Sequence, residues 1–189
     1  MAQVTSPIAG KIGQGLSFDG SNDYVSAPVN LSGTNIASLS FWMKWNAYAN
    51  DDDLAFEYTT NFTGVNAFII DPNDSTPSRF SIIMSATGGY YNGGYITRPS
   101  AGVWHHYGVI LNRTTGTANG VTIYVDGVAQ SMTQTYSSDF SSSNFDNSSL
   151  YFMSRGGSSL FGAGSLDDVR IYNRALSATE ITQLYNSGR

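Results

Sequence analysis

Short runs in which apolar and polar residues alternate cover most of the chain. Residues 38–45 are the clearest case, because Leu39, Phe41, Met43 and Trp45 occupy every second position. This period of two places the four side chains on one face of a β-strand. Shorter runs of the same kind occupy residues 16–18, 24–27, 66–71, 79–85, 104–112, 120–125, 150–154 and 166–172. About ten to twelve short strands separated by turn residues predict a β-sandwich or barrel.

The C-terminus is the part of the chain with helical spacing. Ser177 and Glu180 match the capping-box pattern, in which each side chain accepts the backbone N–H of the other residue. Ile181, Leu184 and Tyr185 then recur on one helical face. We therefore expect one short structural helix that docks on a sheet by this face.

Two segments carry few signals of regular structure. Residues 88–95 are rich in Gly and Tyr, and residues 137–149 are mostly Ser, Asn, Asp and Phe, so both are predicted to be long loops. No internal repeat and no linker is visible, and 189 residues suffice for one sandwich with a substantial core. Residues 1–189 are therefore predicted to form a single domain.

The charge of the chain argues against several partners. The net charge is −5, and Lys11 and Lys44 are the only lysines. A nucleic-acid-binding surface needs a basic stripe that displaces counterions, so nucleic acid is not an expected partner. A membrane is not expected either, because no apolar stretch approaches the ~18 residues of a membrane span and the positive charge is too low for an anionic surface.

The start of the chain lacks a basic segment followed by an apolar one, which is the pattern of a cleaved secretion signal. Three origins stay open on this basis. The chain is a fragment of a larger secreted protein, a protein exported without a cleaved signal, or a phage structural protein released by lysis. There is no cysteine, so disulfides give no information on compartment.

Four sequence blocks follow one another along the chain. They are Gly-Leu-Ser-Phe-Asp-Gly-Ser-Asn-Asp-Tyr-Val at 15–25, Leu-Ser-Phe-Trp-Met-Lys at 39–44, Trp-His-His-Tyr-Gly-Val at 104–109 with Ile-Tyr-Val-Asp-Gly at 123–127, and Gly-Ser-Leu-Asp-Asp-Val-Arg-Ile-Tyr at 164–172. Together they resemble the bacterial laminin-G-like (LamG) family of the concanavalin-A-like lectin/glucanase superfamily. The resemblance implies an all-β fold, a two-sheet antiparallel jelly-roll sandwich with one short C-terminal helix. It does not decide the function, because this fold hosts lectins, adhesion modules, glycosidases and structural domains.

The acidic residues do not favour a glycosidase. Glycosidases of the superfamily that this chain resembles carry closely spaced carboxylates on one strand, and a retaining mechanism needs them ~5 Å apart. The chain has two glutamates, of which Glu180 belongs to the predicted cap and Glu57 has no acidic residue two positions away. His106 matches a histidine that is structural in the family, and His105 is expected to be its exposed neighbour. The protein is therefore predicted not to be an enzyme.

Calcium is the metal that the sequence favours, because it takes oxygen ligands from carboxylates and carbonyls on flexible turns. Asp19 and Asp23 flank one such turn. The resemblance implies that Asp167 lies near this turn, so Asp19, Asp23 and Asp167 are the candidate ligands. The alternative is that these aspartates cap turns and pair with nearby arginines. Residues 51–53, three aspartates in a row, are a weaker second candidate cluster.

Four aromatic residues are candidates for ligand binding. Tyr90, Tyr91 and Tyr95 lie in the Gly-rich segment, where their rings are expected to be exposed, and Trp42 has the opposite parity to Phe41. Sugar-binding sites stack aromatic rings on the faces of sugars. The alternative for Trp42 is burial in the core, and for the tyrosines it is that Tyr91 or Tyr95 packs under the segment.

The resulting prediction is a non-catalytic recognition module that binds a glycan or polysaccharide, with possible stabilisation by calcium, in an extracellular or cell-surface location. The alternative belongs to another class of protein. It is a phage virion structural protein, either a head-decoration or a fibre-associated subunit, whose partner is a virion or capsid protein at the virion surface.

Overall fold

Two antiparallel sheets of seven strands each face one another in the computed structural model, which describes residues 6–46, 53–59, 61–62, 66–76, 78–140 and 143–189. The first sheet has the spatial order β1 (Ser6–Ala9), β2 (Gln14–Asp19), β14 (Ala163–Tyr172), β4 (Ile36–Trp45), β9 (His105–Asn112), β10 (Val121–Val125) and β11 (Val128–Ala129). The second has the order β12 (Thr133–Ser137), β8 (Tyr90–Thr97), β7 (Arg79–Ala86), β6 (Phe68–Asp71), β5 (Phe56–Tyr58), β13 (Asn147–Phe152) and β3 (Val25–Asn30). The predicted two-sheet jelly-roll sandwich is confirmed.

The core lies between the sheets and is strongly aromatic. The alternating residues of β4 face the second sheet as expected, and the ring centroid of Phe41 lies 4.6 Å from that of Phe56 on β5. Phe41 also stacks on Tyr107 of β9, and Tyr107 stacks on Phe80 of β7, at centroid distances of 5.2 and 5.0 Å. These ring contacts connect the two sheets, and each fully buried aromatic side chain stabilises the sandwich by roughly 1.5–3 kcal/mol.

The predicted helix is α1 (Ala178–Ser187), and both capping-box bonds are present. The N–H of Ser177 donates to Oε2 of Glu180 over 2.8 Å, and the N–H of Glu180 donates to Oγ of Ser177 over 3.3 Å. Ile181 is completely buried against β9, whereas Leu184 and Tyr185 are only half-buried. Of the three residues on the predicted apolar face, Ile181 is the one that is fully buried, which is a narrower buried face than the spacing predicted. No described helix is long and apolar enough to cross a membrane.

The two predicted loops are only partly loops. Residues 88–89 form a turn, but residues 90–97 are strand β8, so the prediction of a long loop over 88–95 is wrong. The glycines in this strand allow close approach of neighbouring backbones, since a Cβ on Gly93 would clash with the carbonyl oxygen of Ile82, and one on Gly94 with that of Thr133. Residues 137–149 contain the end of β12 and the start of β13, with a connecting segment between them.

Candidate functional site

The outward face of the second sheet carries a cavity that is lined by described residues. We call it the groove. Its volume is about 430 Å³, and its lining includes Asp71, Asp74, Arg79, Ser81, Tyr136 and Arg155. This volume lies within the range typical of small-molecule sites, roughly 300–1,000 Å³.

Strand alternation and register place the groove residues. Phe68 and Ile70 point into the core and are completely buried, so Ile69 and Asp71 on the same strand point outward. Pairing across the sheet then produces two rows, Glu57–Ile69–Ile83–Gly93–Tyr136 and Asp71–Ser81–Tyr95–Thr133. The first row has no side chain at Gly93, which leaves space between Ile83 and Tyr136. The floor of the groove therefore lies closer to the sheet backbone at Gly93.

One side of the groove is aromatic. A second cavity of about 270 Å³ is lined by Phe62, Ile83, Tyr91 and Tyr136, and it shares Ile83 and Tyr136 with the groove. The ring centroids of Tyr91 and Tyr136 lie 5.6 Å apart, and those of Phe62 and Tyr91 lie 5.7 Å apart. Phe62, Tyr91 and Tyr136 form what we call the aromatic wall. Tyr136 is its accessible member, with 40% of its surface exposed.

The other side of the groove is polar and held by internal hydrogen bonds. Oδ1 of Asp74 accepts the N–H of Thr76 over 2.8 Å, and Oδ2 of Asp74 accepts the hydroxyl of Ser81. Oδ1 of Asp71 accepts the N–H of Asn73 over 2.8 Å. These bonds fix the loop between β6 and β7 against the sheet, so the polar side is preorganised before any ligand arrives.

An ion pair between Glu57 and Arg155 closes one end of the groove. Glu57 is completely buried, and Nε of Arg155 lies 3.3 Å from its Oε1. Burial raises the pKa of Glu57, and the charge of Arg155 with nearby backbone N–H groups offsets this only in part. Asp71 is a diagonal neighbour of Glu57 on the adjacent strand and is 6% exposed. The carboxylates of Glu57 and Asp71 thus lie on the same face of the sheet, but neither is open to a substrate. Spacing along a single strand could not predict this pair, because the two residues lie on neighbouring strands.

The candidate tyrosines do not form one exposed surface. Tyr91 and Tyr95 lie on the groove side of β8, opposite Ser85 and Ser81. Tyr90 points to the other side of the same strand and is 59% exposed. Its location follows from the alternation of a strand, where a flexible loop had been expected.

The prediction that Trp42 contacts a ligand is corrected. Its side chain is 2% exposed and lies beneath the C-terminal helix, with its ring centroid 5.7 Å from that of Tyr185. A Cβ on Gly188 would lie 2.6 Å from its Nε1, so the end of the helix covers the ring closely. Trp42 therefore has a packing role.

The three predicted calcium ligands do not converge. Asp19 pairs with Ala163 at one end of β14, and Asp167 lies four residues further along that strand, which is roughly 13 Å away. Among the described residues, no group of three His, Cys, Asp or Glu side chains is arranged to hold a metal. The structure therefore does not bring Asp19, Asp23 and Asp167 together in one joint site. Asp51 and Asp52, in the second predicted cluster, lie outside the described residues.

Asp23 and Asp167 instead accept backbone hydrogen bonds. Oδ2 of Asp167 accepts the N–H of Ile12 over 2.7 Å, and its Oδ1 accepts the N–H of Asp168 over 2.8 Å. Oδ2 of Asp23 accepts the N–H of Asp19 over 3.1 Å. The turn-capping alternative describes all three bonds.

The two histidines have structural partners. His106 is completely buried, its Nε2 lies 2.9 Å from Oγ of Ser40, and burial lowers its pKa to about 4. It is therefore neutral at pH 7. His105 is predicted to be an exposed neighbour, but its side chain is 17% exposed and its Nδ1 lies 2.7 Å from a carboxylate oxygen of Asp126.

The sequence reasoning missed most of the residues that line the groove. Asp71 and Ser81 could have been found, because both alternate with buried apolar residues along β6 and β7 and so point outward. Tyr136 lay outside every predicted strand and loop, and Arg155 follows β13 in an irregular segment with no local signal.

Comparison with known proteins gives a consistent fold. Domain 4 of AbnA, a GH43 extracellular arabinanase from Geobacillus stearothermophilus solved in complex with arabinotriose, is 19% identical with a TM-score of 0.73 over 98% of this chain and 82% of that one. The SAP-like pentraxin of Limulus polyphemus is 11% identical with a TM-score of 0.64 over 89% and 80% of the two chains. The botulinum neurotoxin serotype G binding domain is 13% identical with a TM-score of 0.71 over 97% of this chain and 45% of that one. These likenesses show the fold alone.

The family is shown by sequence. No curated protein sequence matches the chain. The Laminin_G_3 family model, described as the concanavalin A-like lectin/glucanases superfamily, matches residues 19–182, which is well over half of the chain. The four blocks noted in the sequence fall almost entirely within this match. The chain therefore belongs to the laminin G-like family of the concanavalin A-like lectin/glucanase superfamily.

Proposed function

We propose that the protein is a non-catalytic recognition module that binds a glycan in the groove. The observation that carries this proposal is the continuity of the aromatic wall with the polar side of the groove. A sugar presents an apolar C–H face and a polar hydroxyl edge, and it needs both kinds of surface side by side. The arabinotriose complex of the structurally similar arabinanase domain supports a glycan as the ligand class.

Tyr136 is the residue whose loss tests this assignment. Replacing Tyr136 by Ala removes the exposed ring of the aromatic wall, and we expect glycan affinity to fall about tenfold, which corresponds to ~1.4 kcal/mol. Because β12 is an exposed edge strand, the melting temperature should change little. Calorimetric titration with arabinan, galactan and pectin oligosaccharides measures the affinity.

Tyr90 provides the matched control for this experiment. It lies on β8 with Tyr91 but points to the opposite side, and it is more exposed than Tyr136. Tyr90→Ala should therefore leave affinity unchanged. Equal losses in Tyr90→Ala and Tyr136→Ala would contradict a site in the groove, and no binding of any oligosaccharide would contradict the proposed function.

The absence of catalysis is part of the proposal. It is supported by the burial of Glu57 beneath Arg155 and by the low exposure of Asp71, since a glycosidase must bring two carboxyl groups to the scissile bond. We expect no release of reducing sugar from β-glucans, galactans or pectins. Reproducible turnover that disappears in Glu57→Gln or Asp71→Asn would show that the groove is an active site.

We place the protein outside the cell or at the cell surface, where polysaccharides of this kind are found. The virion alternative stays a prediction. It expects co-purification with phage particles and no affinity for any oligosaccharide. Calcium is not part of the proposal, because the residues predicted to bind it do not form one site.

A further inference from the structure

The carboxylates that line the groove are engaged within the protein, whereas two arginines of the lining carry N–H groups without a partner among the described residues. Asp74 uses both carboxylate oxygens on Thr76 and Ser81, and Asp71 accepts the N–H of Asn73. Glu57 is covered by Arg155. The carboxylates of Asp71 and Asp74 are therefore directed to donors within the protein, and Oε2 of Glu57, which has no hydrogen-bond partner among the described residues, is closed to a ligand by burial.

Arg155 is the first of two arginines that line the groove. Its Nε is directed to Glu57, so the guanidinium is held in place from below. Its side chain is 35% exposed, and its two Nη groups have no hydrogen-bond partner among the described residues. A guanidinium with a fixed Nε and a free pair of Nη groups can donate two parallel hydrogen bonds to a carboxylate or a sulfate.

Arg79 is the second arginine. Its guanidinium carbon lies 4.0 Å from the ring centroid of Tyr95, and this cation–π contact holds the cation beside the ring. Nη1 donates to Oγ1 of Thr76 over 3.3 Å, and its other N–H groups have no partner within the part of the chain that the structure describes. Both arginines line the same cavity of about 430 Å³.

From these two arginines we propose that the groove selects an acidic glycan, one that carries uronate carboxylates or sulfate esters, and that Arg155 and Arg79 bind its anionic groups. The inference rests on the proposed function and specifies its ligand class. The chain carries a net charge of −5, so long-range attraction does not favour such a ligand. Selection arises from short-range, charge-assisted hydrogen bonds, which act mainly on the rate of dissociation.

The test compares three probes on the full chain by calorimetric titration. They are trigalacturonate, a sulfated galactotriose and neutral arabinotriose. We expect at least one acidic probe to bind about tenfold more tightly than arabinotriose, which is the ratio that one charge-assisted hydrogen bond of ~1.4 kcal/mol would produce. The ratio between the two acidic probes shows whether carboxylate or sulfate is preferred.

The variants separate the role of Arg155 in binding the ligand from its role in stabilising the fold. Arg155→Met alone would leave the carboxylate of Glu57 without its cation, so the double variant Glu57→Gln with Arg155→Met is the folded alternative. In this double variant the preference for the acidic probe should fall to within about twofold. Glu57→Gln alone should keep most of the preference, because the amide oxygen of glutamine can still accept the hydrogen bond from Nε of Arg155. Arg79→Gln should lower it in part. Arg170→Gln removes an equal charge from an exposed position on the first sheet and should have no effect.

The outcomes distinguish this inference from the proposed function. If arabinotriose binds as tightly as both acidic probes, the acidic-ligand inference is wrong and the glycan-binding function stands. If an acid preference survives in the double variant and in Arg79→Gln, these arginines are not its source. If no probe binds, both proposals fail.

Discussion

Replacement of Arg113 by Met is expected to lower the free energy of unfolding by about 4 kcal/mol. Arg113 is 1% exposed and donates from Nη1 to the carbonyl oxygen of Ser85 over 2.8 Å. Its Nη2 donates to Oγ of Ser143 and to Oδ1 of Asn66, over 2.8 and 3.0 Å, and Nε donates to the carbonyl oxygen of Ser143. Methionine fills a similar volume, but it leaves these acceptors without their donor in a buried place.

The aromatic contacts of Arg113 explain how a buried cation is tolerated there. Its guanidinium carbon lies 4.5 Å from the ring centroid of Phe140 and 5.0 Å from that of Phe145. Burial lowers its pKa to about 10, so it remains charged at pH 7. The guanidinium thus holds the segment between β12 and β13 on the end of the sandwich.

Chemical denaturation measures the effect of the Arg113 variants. Arg113→Lys should be almost as destabilising as Arg113→Met, because an ammonium group cannot donate in the directions of all four bonds. Arg170→Met, at an exposed position, is the control and should change stability by less than about 0.5 kcal/mol. If Arg113→Lys were as stable as the wild type, charge alone would explain the residue, and the hydrogen-bond account would be wrong.

Replacement of Ile181 by Ala is expected to cost about 3 kcal/mol, because the side chain is completely buried between the helix and the first sheet. A Cβ on Gly108 would lie 2.8 Å from Cγ2 of Ile181, which shows how closely the helix packs on β9. Leu184→Ala, on the same helix but half-buried, should cost about 1 kcal/mol or less. Thermal denaturation of the two variants compares them. Equal costs would mean that the helix docks along a broad face, as its spacing first indicated.

Much of the fold could be predicted because its signals are local. The alternation at 38–45 depends only on neighbouring residues, and it identified the side of β4 that faces the core. The capping box at Ser177 and Glu180 is equally local, and both of its bonds are present.

The candidate site could not be predicted to the same extent, because it depends on register between distant strands. Asp19 and Asp167 lie on paired strands, but the pairing places them four residue positions apart along the strands. Glu57 and Asp71 share a face only because β5 pairs with β6. The glycines of 88–95 indicated a loop when read along the chain, but only Gly88 and Gly89 lie in a turn. Gly93 and Gly94 instead admit the backbones of β7 and β12, which are brought there by the fold and not by the local sequence.

The position of β14 has a consequence for biosynthesis. It is made after every other described strand, yet it lies between β2 and β4, and Asp167 on it bonds to Ile12 across 155 positions of sequence. Contacts of such long range make folding slow, because a large loop must close before they form. During translation, at about 5–20 residues per second, β2 and β4 emerge early, and their facing edges stay unpaired until β14 has been made. Strand edges of this kind readily pair with other chains. We therefore expect the nascent chain to be more prone to aggregation before β14 leaves the ribosome than after it.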